Sequence, residues 1–368
     1  MRLGLALVVL IFHAGYGGGG GSYAVYGFYV ISGYLITRVY LEQYSKASMG
    51  FLIFQGNRLL RIIPLFFVSS LLAYLSILLV IYVSNIDFKA IPVNGIRYIT
   101  DSHFSLTDYW TGLRPDPVIK TGMPPQFVIY FGWLSQFWTI SIEFVFYLLA
   151  PFLIMMRIKF GRQASHWMLV TALAVYVTYS AIPGRDDIGL YADIVYRNAI
   201  PTMFFFVVGM NLYELRLLTT FRIHPAYVSC STVVAIGLIL IGSKHINSGL
   251  PSVYDFILWQ LIAAAGIVPV VFSRSFKNVI AEKLDSFSAN MSYGVYLNQS
   301  ITLTFYFAYR IGKNNTDYLH NTSFVHYLVL TLATIGISYL TYIGFERPVN
   351  DAKIRLKQRF NISNRVSQ

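Results

Sequence analysis

The sequence is poor in charge and nearly free of cysteine. Only 12% of its 368 residues are Asp, Glu, Lys or Arg, about half the share of an ordinary soluble domain. That deficit excludes a water-exposed globular surface over most of the chain. Cys230 is the single cysteine, which rules out an intrachain disulfide framework and a cysteine-built metal site. Acidic residues are few, 16 against 28 basic ones, and no glycine-rich segment sits between a strand and a helix as a phosphate loop would require. The run from Gly17 to Gly21 reads instead as a flexible outer hairpin.

Apolar residues take up the space that charge leaves. They make up 56% of the chain, with 17% aromatic and a mean hydropathy of +0.57. Ten apolar runs of helical length stand out, near 3–16, 23–40, 62–83, 134–156, 167–182, 199–213, 227–242, 256–273, 291–309 and 324–345, several near the twenty residues a bilayer requires. The expected fold is therefore all-α and polytopic, with about ten transmembrane helices. It comprises one transmembrane domain over residues 1–350 and a basic cytoplasmic tail over 351–368.

Placement of the basic residues sets the expected orientation. With the N-terminus in the cytoplasm, most of the 28 lysines and arginines fall on that side, as the positive-inside rule asks. Among them are Arg2, Arg38, Arg58, Arg61, Arg157, Arg162, Arg216, Arg274 and the tail. Both termini are then cytoplasmic. The net charge of +12 reads as a membrane-face charge and not as a footprint for nucleic acid.

Ionisable groups inside hydrocarbon are costly and mark function. The stretch RLGLALVVLIFH places Arg2 and His13 eleven residues apart. That spacing returns them to nearly one helix face, about 16 Å apart along the axis. A cleaved signal peptide is the competing reading of this segment. Glu143 lies about 15 Å below the outer end of its run, at a depth similar to that of His13. Ser32, Asn298 and Gln299 fall near the same level, each with interhelical hydrogen bonding as its plainer role. A histidine able to accept a proton, oriented by a carboxylate, is suited to deprotonating a hydroxyl. Arg58 and Arg61, three apart in FQGNRLLRIIPLF, suit either membrane anchoring or a phosphate clamp. Pro64 reads as the first turn of a helix beginning just after them.

These pieces resemble the acyltransferase 3 family of membrane acyltransferases. The resemblance rests on Arg2 and His13 at the R-x10-H spacing, then FYVISGYLIT, NRLLRIIPL, WTISIEFVFYLLAPFL, SYGVYL and the closing FERP at Phe345 to Pro348. It implies O-acyl transfer, most often of acetyl, from cytoplasmic acyl-CoA to a hydroxyl of a bacterial surface or secreted glycan, with no permanently bound cofactor and no metal. The membrane bilayer, acyl-CoA and a carbohydrate acceptor, lipid-linked or free, are the implied partners, and the inner (cytoplasmic) membrane the implied location.

Residue by residue, the resemblance makes His13 the catalytic histidine and gives the donor to Arg2, Arg58 and Arg61. Glu143 falls where the family carries a glutamate, and Ser32, Tyr293, Asn298 and Gln299 are the expected substrate-side residues. The signal-peptide reading loses, because cleavage would remove the catalytic motif. Two positions depart from the family's habit: Tyr26 stands where an acidic residue is common, and Gln299 where a histidine is common. The alternative of a lipid-linked saccharide flippase would need broken helices in matching repeats, and the sequence has no such repeat. The loop 84–133, with Tyr109 and Trp110 beside Asp101, Asp108 and Arg114, is expected to form an acceptor-side lid.

Overall fold

The computed structural model describes residues 1–15, 20–47, 49–83, 138–184, 187, 191–247, 252–273, 279–312 and 323–351. The expected lid over 84–133 and the tail beyond 351 lie outside the described residues. Within them the chain is helical, with a single isolated bridge between Ile223 and Ser273. The elements are α1 Arg2–His13, α2 Gly20–Val39, α3 Gly50–Val83, α4 Trp138–Ala181, α5 Ala199–Leu218, α6 Pro225–Asn247, α7 Val253–Ala265, the short α8 Val268–Val271, α9 Val279–Gly312 and α10 Phe324–Thr341. Helices satisfy their own backbone, the condition for crossing a bilayer. Six described segments are long and apolar enough to cross one, and α1 is a shorter apolar helix.

The outer surface is apolar. On α3 the exposed side chains Leu60, Ile63, Phe67, Leu71, Leu75 and Leu79 recur every three or four residues and so form one continuous stripe. In water such a stripe would be a liability; against lipid it is the expected face of a multi-pass membrane protein. α2 is the opposite case. Tyr23, Tyr26, Tyr29, Val30, Ile31 and Ile36 are all buried, because α2 is packed against α1, α5 and α7.

Gly33 permits the tightest of these crossings. A Cβ there would come within 2.1 Å of the Phe206 carbonyl oxygen, and one on Gly209 within 2.1 Å of the Val30 oxygen. α2 and α5 thus meet backbone to backbone, as small residues allow in membranes.

Three local expectations are corrected. α2 already begins at Gly20, so the glycine run is not wholly a hairpin; Gly21 packs where a Cβ would strike the Phe12 ring. α3 begins at Gly50, well before Arg58, so Pro64 lies inside the helix and not in its first turn. Pro64 has no N–H to give the Leu60 carbonyl. The fourth and fifth apolar runs share α4, whose 44 residues would stretch about 66 Å if straight. Gly161, at φ 67° and ψ −155°, breaks it, and Lys159 and Arg162 flank the break as charges at a membrane face would.

Candidate active site

α1 carries Arg2 and His13 as its first and last residues, so the R-x10-H spacing is one helix packed against α2 and α9. Arg2 lines a cavity of about 40 Å³ together with Phe28, Tyr29 and Ser32 of α2, Thr139 and Glu143 of α4, and Tyr293 and Tyr296 of α9. Space of that size holds a few waters at most. Of the residues expected from sequence, the cavity brings together Arg2, Ser32, Glu143 and Tyr293.

Glu143 is the hub of this wall. Its Oε1 accepts from Ser32 Oγ at 2.9 Å and from the Tyr147 hydroxyl one turn along α4. The Arg58 guanidinium lies 5.7 Å from the Tyr147 ring centroid and 5.1 Å from that of Phe54, close enough for cation–π attraction. Arg61, Glu143, Tyr147 and Arg58 all act electrostatically on Arg2. Arg2 Nε is buried with no hydrogen-bond partner among the described residues. Arg2 and Arg58 thus share the field of one carboxylate, with Arg61 a third positive charge near Arg2, an excess of positive charge suited to an anion.

His13 is not among the residues lining this cavity. It is half-buried, and the Gln299 side chain lies beside its imidazole. Gln299 is itself held by Nε2 donating to the Tyr296 carbonyl at 2.8 Å. Tyr296 also faces the cavity, its hydroxyl 2.7 Å from Thr139 Oγ1. The polar residues therefore form two adjoining groups, His13 with Gln299 and Arg2 with Glu143, and Tyr296 stands between them. An amide thus stands beside the imidazole at 299, where a histidine was the more usual expectation.

Asn298 is engaged elsewhere. Its Oδ1 accepts from Ser69 of α3 at 2.8 Å, and its Nδ2 donates to Thr341 at 2.8 Å and Ser338 at 3.4 Å. The Tyr293 hydroxyl donates to the Ile62 carbonyl at 3.4 Å. Tyr147, Thr139 and Tyr296 were not singled out from sequence. Tyr147 had a readable signal, its i+4 spacing from Glu143; the other two had none. Among the described residues no cluster of His, Cys, Asp and Glu could hold a metal.

An apolar helical bundle that holds a half-buried histidine, and half-buried arginines with a third exposed beside them, defines a multi-pass membrane protein with an internal polar site. The particular family follows from comparison: residues 1–343 match the acyltransferase domain of the acyltransferase 3 type, and the chain belongs to that family. It is also 25% identical over 200 residues to the peptidoglycan O-acetyltransferase OatA of Listeria monocytogenes serovar 1/2a, a match covering 52% of this chain and 30% of that protein. The chain thus spans less than a third of this relative. No solved structure matches it.

Proposed function

We propose that the protein is a membrane O-acyltransferase, and specifically an O-acetyltransferase, that uses cytoplasmic acyl-CoA to acylate a hydroxyl of a cell-surface or secreted glycan. A lipopolysaccharide O-antigen or exopolysaccharide unit is the acceptor we favour. The name of the Listeria relative points to an acceptor of the same chemical class, a glycan hydroxyl. The proposal includes ten spans with both termini in the cytoplasm and residence in the inner membrane. The observation that carries it is family membership over residues 1–343, with Arg2 and His13 at opposite ends of one helix.

In this reading the arginines hold the donor's phosphates and His13 works on the acceptor. The imidazole takes the proton of the sugar hydroxyl as its oxygen attacks the thioester carbonyl. The C–S bond breaks, CoA leaves as thiolate, and the imidazolium returns the proton to it. Gln299 fixes one ring nitrogen and so leaves the other to meet the hydroxyl. Glu143 sits beside Arg2 and Arg58 and tempers the positive potential that holds the donor, so that its field reaches the imidazolium only at long range.

The test is linkage analysis of surface glycan from cells with and without the gene, alongside transfer of labelled acetyl from acetyl-CoA in proteoliposomes. Loss of glycan O-acetyl groups and of transfer is the expected result. Unchanged O-acetylation would overturn the proposal.

A further inference from the structure

A second cavity of about 240 Å³ lies beside the first and differs from it in size and chemistry. It is lined by Leu60, Arg61 and Pro64 of α3, Asn290 of α9, and Phe345, Glu346 and Asn350 at the end of the chain's last described segment. A π-helical turn, Tyr342–Glu346, follows α10 directly and delivers Phe345 and Glu346 to it. Gly294 of α9 packs against this turn: a Cβ there would lie 3.4 Å from Glu346 Oε1 and 3.3 Å from the Ser338 side chain. The closing FERP motif, which the reading of the reaction leaves without a task, is thus folded against α3 and α9.

Tyr293 stands between the two cavities. It lines the first, its hydroxyl donates to the Ile62 carbonyl, and both Glu143 on one side and Arg61 and Glu346 on the other act on it electrostatically. Arg61 in turn acts on Arg2. The second cavity therefore opens at the arginine end of the site, on the side proposed as cytoplasmic.

Its chemistry is particular. One arginine and one glutamate make it close to neutral, so it is not built for a phosphate alone. Two carboxamides, Asn290 and Asn350, can donate to and accept from the edge of a heterocycle, the pairing that asparagine makes with adenine. Pro64 leaves the Leu60 carbonyl without its helical donor, which provides a further acceptor at the wall. Phe345 is 47% exposed and offers a ring face for stacking.

We infer that this cavity takes the adenosine end of the donor, with the Asn290 and Asn350 amides and the Glu346 carboxylate meeting adenine and ribose while Arg61 at the rim turns the phosphates toward Arg58 and Arg2. The inference rests on the acyl-CoA reading above. The acyl thioester, at the far end of the donor's flexible arm, is then free to reach toward His13.

The experiment measures binding of CoA and of 4′-phosphopantetheine, which lacks the adenosine and its two phosphates, to purified full-length protein in detergent. Both are measured for the wild type, Asn290→Leu, Asn350→Leu and the double variant. Asn290 and Asn350 are exposed, so these substitutions leave the bundle intact; a melting curve checks this. Loss of the adenine contacts should weaken CoA binding about tenfold and leave 4′-phosphopantetheine binding unchanged. Equal weakening of both ligands, or of neither, would overturn the adenosine assignment while leaving the enzyme reading in place. A wild type that binds no CoA would overturn both.

Discussion

Two sets of polar side chains lie inside this apolar molecule, and they are used in opposite ways. Along the α3–α9–α10 seam, Ser69, Asn298, Thr302, Thr334, Ser338 and Thr341 pair with one another or with helix carbonyls, Thr302 with Thr334 at 2.7 Å for example. Around Arg2 the balance is reversed: three arginines stand against one carboxylate in charge, and Arg2 Nε has no partner among the described residues. Polar groups in a membrane must be satisfied or be kept for a ligand. Satisfaction thus separates helix glue from chemistry.

That separation is broken most directly at His13. His13→Ala should leave the melting temperature near wild type and lower acetyl transfer in proteoliposomes by on the order of a hundredfold or more, the usual cost of losing a general base. A variant that keeps more than about a tenth of wild-type turnover would remove His13 from the reaction. Gln299→Leu sharpens the point. It should lower turnover less than His13→Ala and leave donor affinity unchanged, because it frees the imidazole to rotate without removing it.

The arginines come next. Arg58→Ala with Arg61→Ala removes charge-assisted hydrogen bonds worth about 1.5–3 kcal/mol each, so CoA should bind at least tenfold more weakly while the apparent affinity for acceptor stays put. Arg58→Lys keeps the charge but loses the planar face laid against Phe54 and Tyr147. It should therefore recover only part of the loss. Equal CoA affinity in the double variant, measured by calorimetry, would return the pair to membrane anchoring.

Glu143 separates two roles for a buried carboxylate. Glu143→Gln keeps the shape that Ser32 and Tyr147 bond to and removes the negative charge beside Arg2 and Arg58. Turnover should fall severalfold, yet CoA should bind as well as before or more tightly, because the lost charge repelled an anionic donor. Weaker CoA binding would mean that Glu143 serves only to hold the arginines in place.

Much of this was legible in the sequence. Hydropathy gave the helical class, and the R-x10-H spacing gave α1, because eleven residues on one face is a property of the helix alone. Arg2, Ser32, Glu143 and Tyr293 do converge, since polar residues in separate apolar runs have only each other to meet. What the sequence hid is long-range. Nothing local says that Gln299 and not its neighbour Asn298 meets His13; adjacent residues on a helix point about 100° apart, and which face turns to α1 is settled by packing. Nor could the sequence show that α3 starts at Gly50: Pro64 signals a helix start, and only the burial of Phe54 and the stacking of Arg58 override it. The second cavity was invisible, because Arg61, Asn290 and Asn350 are far apart in the chain.

The smallest effect belongs to Asn298, and it is the finest test of the comparison. Asn298→Leu removes the amide that joins α9 to Ser69, Ser338 and Thr341, while keeping its branching and number of heavy atoms. Thr341 still donates to the Ser338 carbonyl at 3.0 Å and Ser338 to the Thr334 carbonyl at 2.6 Å. Only the Ser69 hydroxyl is left seeking an acceptor, and a helix carbonyl one turn back can supply it. Hydrogen bonds between membrane helices average about 0.6 kcal/mol, so the loss of three should be about 2 kcal/mol, read as a drop in melting temperature on the order of 4 °C. KM for acetyl-CoA and for the acceptor should not move. A variant of normal stability with a raised KM for acceptor would place Asn298 against the substrate, and the seam would then have to be counted as part of the site.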